Sequence, residues 1–268
     1  MCGRYASMRS ADDLLAEFDV DELAVEETLP PAYNIAPTDT VYAVLERPAR
    51  PAVPERNLPA RTVPARQLRT LRWGLVPSWS PDAGSGPPMI NARVETVAEK
   101  PAFRTALARR RCLVPADGYF EWYRGGDSGS GGTVAEGTRK VPHFIRREDG
   151  GVLAFAGLYE IWRDPRRGDA DDAWLWSCTI VTTTATDDLG HVHDRMPMVV
   201  PDAERAPWLD TRMTDPDVAR RIPVPAGAQG LTAYPVSKDV GNVRNNAPYL
   251  VEPAPAGGAD PEDLPTLF

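Results

Sequence analysis

An α+β fold, with a mainly antiparallel, barrel-like β core and a few short peripheral helices, is what this sequence predicts on three observations. Strand-like runs outnumber helix-like ones. The two do not alternate regularly, which argues against a parallel βαβ sheet. A chain of 268 residues with 42% hydrophobic content is also large enough for a substantial core.

The elements can be justified in order. "SADDLLAEF" opens on Ser10 with an acid three residues later and sets Leu14, Leu15 and Phe18 on one face, so it predicts a short capped helix. "TVYAVLE" and "LRTLRWGLV" read as strands, and the Pro- and Arg-rich 47–66 stretch between them as a long loop. "INARVET" (90–96) alternates as a strand. "KPAFRTALARRR" predicts a helix entered through Pro101, with Phe103 and Leu107 inward. "RCLVPADGYFEWY", "VPHFIRRE", "VLAFAGLYEIW", "WLWSCTIVTT" and "LTAYPV" complete the strands, with a small-residue insertion at 125–137. The expected organisation is one domain over 1–250 and a mobile acidic tail over 251–268.

Composition narrows the function classes. No window approaches about 18 uninterrupted apolar residues, which excludes a membrane-spanning helix. The start lacks the basic and apolar regions of a signal peptide, so a cytoplasmic location is expected. Cys2, Cys112 and Cys178 are too widely spaced for a CxxC metal site and odd in number for a disulfide framework. A net charge of −8 argues against a nucleic-acid partner only until its distribution is considered. Residues 11–27 carry eight acids and no base and residues 251–268 four acids and no base, leaving 26 acids against 30 bases elsewhere.

Chemistry concentrates in a few segments. In "MCGRY", removal of Met1 would leave Cys2 with both a thiol and a free amine, a 1,2-aminothiol able to attack a carbonyl twice. In "INARVET", alternation groups Asn91, Arg93 and Glu95 on one face. In "GYFEWY", Glu121 shares a face with Tyr119 and Tyr123, an environment that tends to raise a carboxyl pKa and suits a general acid or base. "HVHDRMPMVV", if extended, aligns His191, His193, Arg195 and Pro197, a proton shuttle beside an anion holder. Without carboxylates or cysteines at ligand spacing, the histidines do not make a metal site. "RWGLVPSWS" brings Arg72, Trp73 and Trp79 around a turn, residue types that stack on unpaired bases and touch phosphates.

Together and in order, "MCGRY", "YNIAP" (33–37), "WGLVPSW", "INARVET", "GYFEW", "HDRMP" and "VSKDVGNVRNNAP" (236–248) resemble the SOS-response-associated peptidase family over about residues 2–250. The resemblance implies a monomeric single domain that senses and shields abasic sites in single-stranded DNA, with no cofactor. Cys2 would form a thiazolidine with the ring-opened sugar aldehyde, with autopeptidase and lyase-type chemistry alongside. Asn91 would position the Cys2 amine, Glu121 transfer protons and His193 assist ring opening. Arg4, Asn34, Trp73, Trp79, Arg93 and Arg195 would contact DNA, and the protein would associate with the nucleoid on damage. Two other readings compete: an N-terminal-nucleophile amidohydrolase of the glutamine amidotransferase kind, which can also begin "MCG", and a non-covalent single-strand-binding module. The terminal "LPTLF" (Leu264–Phe268) also resembles peptides that dock into the bacterial sliding clamp, without their glutamine.

Overall fold

The structure is a computed structural model and describes residues 3–48, 64–84, 86–124, 140–168, 170, 173–185 and 195–255. Its strands are β1 (Tyr5–Ser7), β2 (Glu22–Leu23), β3 (Ala32–Ile35), β4 (Thr40–Pro48), β5 (Pro64–Trp73), β6 (Asn91–Arg93), β7 (Arg111–Ala116), β8 (Gly118–Arg124), β9 (Lys140–Arg147), β10 (Leu153–Arg163), β11 (Trp174–Thr184), β12 (Arg195–Val199), β13 (Val224–Pro225) and β14 (Leu231–Pro235). The short helices are α1 (Ala11–Glu17), α2 (Arg104–Arg109), α3 (Arg205–Leu209) and α4 (Pro216–Ala219). Among the described residues no helix is long and apolar enough to cross a membrane.

Two sheets result. One runs β14-β9-β8-β1-β3; the other runs β13-β12-β10-β7-β4-β5-β11-β6, with β2 against β5. Pairing is mainly antiparallel, with parallel contacts where β11 meets β5 and β6 and where β2 meets β5. The larger sheet returns on itself because β10 also pairs β11. The circuit is uneven, since β10 and β11 align over seven residue pairs and β5 and β11 over two. The architecture is therefore described as α+β, mostly sheet with a few short helices, rather than as a regular barrel.

Alternation sorts the apolar residues into layers. Val44, Leu68 and Val181 face the helices, meeting Leu14, Phe18, Leu107 and Trp208. Val41, Leu45, Leu71, Trp73, Phe155 and Ile180 face inward, meeting Tyr5, Tyr119 and Ile145 of the smaller sheet. Phe120 and Phe144, on that sheet's other side, are covered by Val236, Val240 and Leu250.

Local chemistry accounts for the element boundaries. α1 has the expected capping box: the Asp13 backbone N–H donates to Ser10 Oγ at 3.1 Å and Ser10 N–H donates to the Asp13 carboxylate at 3.1 Å. α2 begins three residues after Pro101 because Phe103, its N-cap, offers no side-chain oxygen to the first amides. The expected 47–66 loop is shorter at both ends, since Arg47 pairs with Ala65 and Pro48 with Pro64; residues 49–63 and the 125–137 insertion lie outside the described residues. "RCLVPADGYFEWY" is two strands, broken where the chain passes from one sheet to the other. Asp117 marks that corner, its carboxylate accepting from Met8 N–H at 2.5 Å and Arg9 Nε at 3.0 Å. Gly118 is required next: a Cβ there would lie 2.6 Å from Ile145 O and collide with the Phe144 ring. Ordered contacts continue past 250, with Ala254 N–H donating to Pro235 O at 2.8 Å; residues 256–268 lie outside the described residues.

The buried Arg111 ties the helical layer to the larger sheet. Its guanidinium donates to Trp208 O (2.6 Å), Leu107 O (2.7 Å), Asp210 O (2.6 Å) and Met213 O (2.9 Å), satisfying carbonyls at the ends of α2 and α3. Arg111→Met keeps much of the apolar stem but strands those carbonyls. It is expected to lower stability by about 3 kcal/mol, read as a shifted urea midpoint with an unchanged slope.

Candidate nucleic-acid and catalytic site

The N-terminal segment is the part of the site whose position is most heavily determined. β1 pairs on one side with β3 (Tyr5↔Ile35) and on the other with β8 (Tyr5↔Tyr119). One residue nearer the start, Arg4 O accepts from Phe120 N–H at 3.0 Å. The backbone before Arg4 is thereby delivered beside the residue that precedes Glu121. Cys2 itself lies outside the described residues, as do His191 and His193.

Arg4 and Asn34 hold this arrangement from the other face. Arg4 Nη1 donates to Asn34 Oδ1 at 2.6 Å and to Val240 O at 2.7 Å. The buried Asn34 amide donates to Asn242 O at 3.0 Å and Asn245 O at 2.9 Å. Asn246 Oδ1 accepts from Tyr33 N–H at 2.7 Å. These bonds explain "YNIAP" and "VGNVRNN" as a single device, a late loop clamped onto β3 and the N-terminal segment. Arg4 and Asn34 are thus engaged in positioning rather than turned toward a DNA phosphate, which corrects the expectation of direct contact.

Trp73 requires a similar correction. It is fully buried, and its indole N–H donates to Ile90 O at 3.0 Å. A ring so enclosed does not stack on a base; it fixes the residue before Asn91. Ile90 O also accepts from Ile180 N–H at 3.0 Å, and β6 then pairs with β11 in parallel, Asn91 opposite Ile180 and Arg93 opposite Thr182. Trp79, by contrast, is 67% exposed, and Arg93 is exposed at the end of β6.

"INARVET" is a strand only over Asn91–Arg93. Val94 N–H still donates to Thr182 O at 2.9 Å, but Thr96 N–H turns back to Arg93 O at 3.0 Å. That turn brings Glu95 to Arg195. The guanidinium grips the carboxylate with two bonds, Nη1 to Oε1 at 3.1 Å and Nη2 to Oε2 at 3.0 Å, and also donates to Thr182 O at 2.7 Å. Burial pushes the Glu95 carboxyl up, but the Arg195 hydrogen bonds and charge, with nearby backbone N–H groups, outweigh it and hold the group below its ordinary value.

Glu121 is buried on β8, on the face shared by Tyr119 and Tyr123. Directly opposite on β9 stands His143, a residue the sequence reading did not single out. Its ring lies 3.9 Å from that of Tyr123, and Nδ1 is 3.2 Å from Val141 O, which assigns the proton to Nδ1 and leaves Nε2 as the basic atom. Burial pulls the His143 pKa down, while burial and the Glu121 charge push the Tyr123 hydroxyl up. The alternation of "VPHFIRR" indicates which face His143 takes. Only the β8–β9 register reveals that it faces Glu121.

A family model described as "SOS response associated peptidase (SRAP)" matches residues 1–243. "Abasic site processing protein YoqW" of Bacillus subtilis (strain 168) is 34% identical over 252 residues, covering 94% of this chain and 99% of its own. "Abasic site processing protein YedK" of Escherichia coli (strain K12) is 32% identical, covering 94% of this chain and 100% of its own. "Abasic site processing protein HMCES" of Pongo abelii is 28% identical, covering 94% and 76%. Among solved structures, a protein from Bacteroides thetaiotaomicron shares the fold at a TM-score of 0.71 and 22% identity, covering 94% of this chain and 100% of its own.

The Glu95–Arg195 pair sets a pH dependence. Because the folded-state carboxyl lies below its ordinary value of 4.5, its stabilising contribution is present above that value and is lost as pH falls through the depressed folded-state value. In an acid series of unfolding midpoints, Glu95→Gln is expected to lose less stability than the wild type across this window. Superimposable acid limbs would mean that the pair contributes nothing.

Proposed function

Because the chain belongs to the SOS response associated peptidase (SRAP) family, we propose that it senses and shields abasic sites in single-stranded DNA by capturing them covalently through Cys2. Similarity over nearly the whole length to relatives named abasic site processing proteins supports this reading. The observation that carries it is the Phe120 N–H to Arg4 O bond, which brings the start of the chain to the neighbour of Glu121.

The chemistry follows from the residue types. With Met1 removed by autopeptidase action, Cys2 carries an amine and a thiol on adjacent carbons. An abasic sugar is mostly a closed hemiacetal, so opening it needs a proton taken from the ring hydroxyl and one given to the ring oxygen. Glu121 and His193 are assigned that exchange. The Cys2 amine, positioned by Asn91, adds to the freed aldehyde carbon and loses water to give an imine. The thiol sulfur then adds to the same carbon while nitrogen takes the thiol proton, closing a five-membered thiazolidine. Lyase-type reversal runs these steps backward, with Glu121 again moving the proton. No cofactor is required by this sequence of steps.

Binding is assigned to Arg93, Trp79 and Arg195, through phosphate contact and stacking rather than base readout. Glu95 occupies the donors of Arg195 with the geometry a phosphate would use, so a phosphate arriving there must displace it. Arg4, Asn34 and Trp73 serve by holding the N-terminal segment and β6 in place. A monomer acting at the nucleoid suits this role. Recruitment through the Leu264–Phe268 tail to the sliding clamp remains part of the proposal.

Incubation with a single-stranded oligonucleotide carrying one abasic site is expected to yield a denaturant-stable protein–DNA band, absent with intact DNA and with Cys2→Ala. Intact-mass analysis should show Met1 missing. Cys2→Ala should keep much of the reversible binding, which separates covalent capture from simple single-strand association. A wild-type protein that binds the oligonucleotide yet forms no such band overturns the proposal.

A further inference from the structure

At the opposite end of β11 from Thr182 lies a cleft of about 670 Å³ bordered by Arg47, Arg69, Arg72, Trp174, Trp176 and Ile161. Its floor is built in layers. Trp176 stacks on Tyr159, ring centroids 5.9 Å apart and planes within 12°. Two guanidinium groups then lie over the same indole, Arg69 at 4.5 Å and Arg47 at 4.9 Å. Arg69 directs Nε to the neutral Gln67 Oε1 at 2.8 Å rather than to a carboxylate. Burial and the like charge of Arg47 pull the Arg69 pKa down, the signature of two cations confined together. Glu26 at the edge and Glu22, which acts on Arg69 from a distance, are the acids facing the group. Trp174 stands beside it 53% exposed, with Arg163 5.6 Å from its ring.

We propose that this cleft is a second contact for the DNA strand, away from the lesion, taking one nucleotide with its phosphate on Arg47 and Arg69 and its base on Trp174. The inference rests on the reading of the protein as a binder of single-stranded DNA. Planar guanidinium groups match a phosphate in a way that point charges do not, and an exposed indole accepts any base by its face. The two sites lie within one footprint. From Trp174 to Thr182, which pairs with Arg93, β11 spans about 26 Å at about 3.3 Å per residue. That is within reach of a footprint of roughly 4–16 nucleotides. The surface between them is also recessed, since Thr40 borders both this cleft and a neighbouring cavity of about 290 Å³ that reaches Asn34 and Asn246.

The test uses the full chain and two abasic oligonucleotides, one with two nucleotides on each side of the lesion and one with ten, together with the longer strand lacking any lesion. Trp174→Ala and the double variant Arg47→Gln/Arg69→Gln are expected to crosslink the short oligonucleotide at the wild-type rate. Each should bind the long intact strand about tenfold more weakly. In the double variant the slope of log affinity against log salt should fall by about 1.4, at about 0.7 for each lost single-strand phosphate contact. Wild-type affinity of both variants for the long strand overturns the cleft. So does a loss matched equally by a free deoxynucleoside monophosphate with no dependence on strand length. Failure of every protein to crosslink the short oligonucleotide would instead indict the lesion chemistry, with the long-strand comparison still deciding the cleft.

Discussion

Strand β11 is the constraint on which the rest of the molecule depends. Its eleven residues pair with four neighbours: β10 along 174–180, β12 along 182–184, and on its other edge β5 at 177–178 and β6 at 180–182. Residues 177–181 are buried, so the strand carries apolar contact on both faces and cannot slip by one residue without exchanging its helix-facing and inward sets. Because β5 and β6 share one edge end to end, the chain between them must leave the sheet and return. Gly74, at a φ of +136°, makes the departure, with its N–H on Cys178 O at 2.8 Å. The excursion that follows carries Trp79 outward and delivers Asn91 and Arg93 on re-entry.

A second, smaller constraint fixes the start of the chain. Terminal residues are ordinarily the least ordered part of a domain, and a nucleophile there needs external support. Here β1 is a central strand of the smaller sheet, and Arg4 is fastened through Asn34 to a loop some 200 positions later in the sequence. The corner at Asp117 and Gly118 then sends the following strand alongside β1, bringing Glu121 to the same place. Precision at the terminus comes from contacts of very large sequence separation. Their cost in chain entropy is met by the apolar layers on either side of the two sheets.

This separation explains what could and could not be read from sequence. Period-two alternation located nearly every strand, and the Ser10 box located α1, because both signals are local. The break at Asp117 was invisible within "RCLVPADGYFEWY", since only the sheet exchange distinguishes one long strand from two. Trp73 and Trp79 sit six residues apart in one motif, yet one is core and the other surface, a difference set by the Gly74 turn rather than by composition. Arg4 and Asn34 were correctly singled out but for the wrong contact, because their partners in 240–245 are brought to them only by the fold. His143 was missed for the same reason, as its relation to Glu121 is a matter of register.

Net charge is the remaining puzzle, since −8 is an unpromising total for a protein that meets phosphate. Placement resolves it. The acids of α1 stand on the side of the larger sheet that packs the helices, and Glu17 is further held by Arg205 at 3.0 Å. Arg47 and Arg69 border the inward layer, joined to it through Trp176 and Tyr159. At physiological ionic strength exposed charges more than about 8 Å apart are largely screened from one another. A phosphate therefore responds to the few groups beside it and not to the total. The paired Glu95 and Arg195 show the same economy in reverse: a buried guanidinium left alone would be costly, and a half-exposed carboxylate compensates it while remaining open to exchange for another anion.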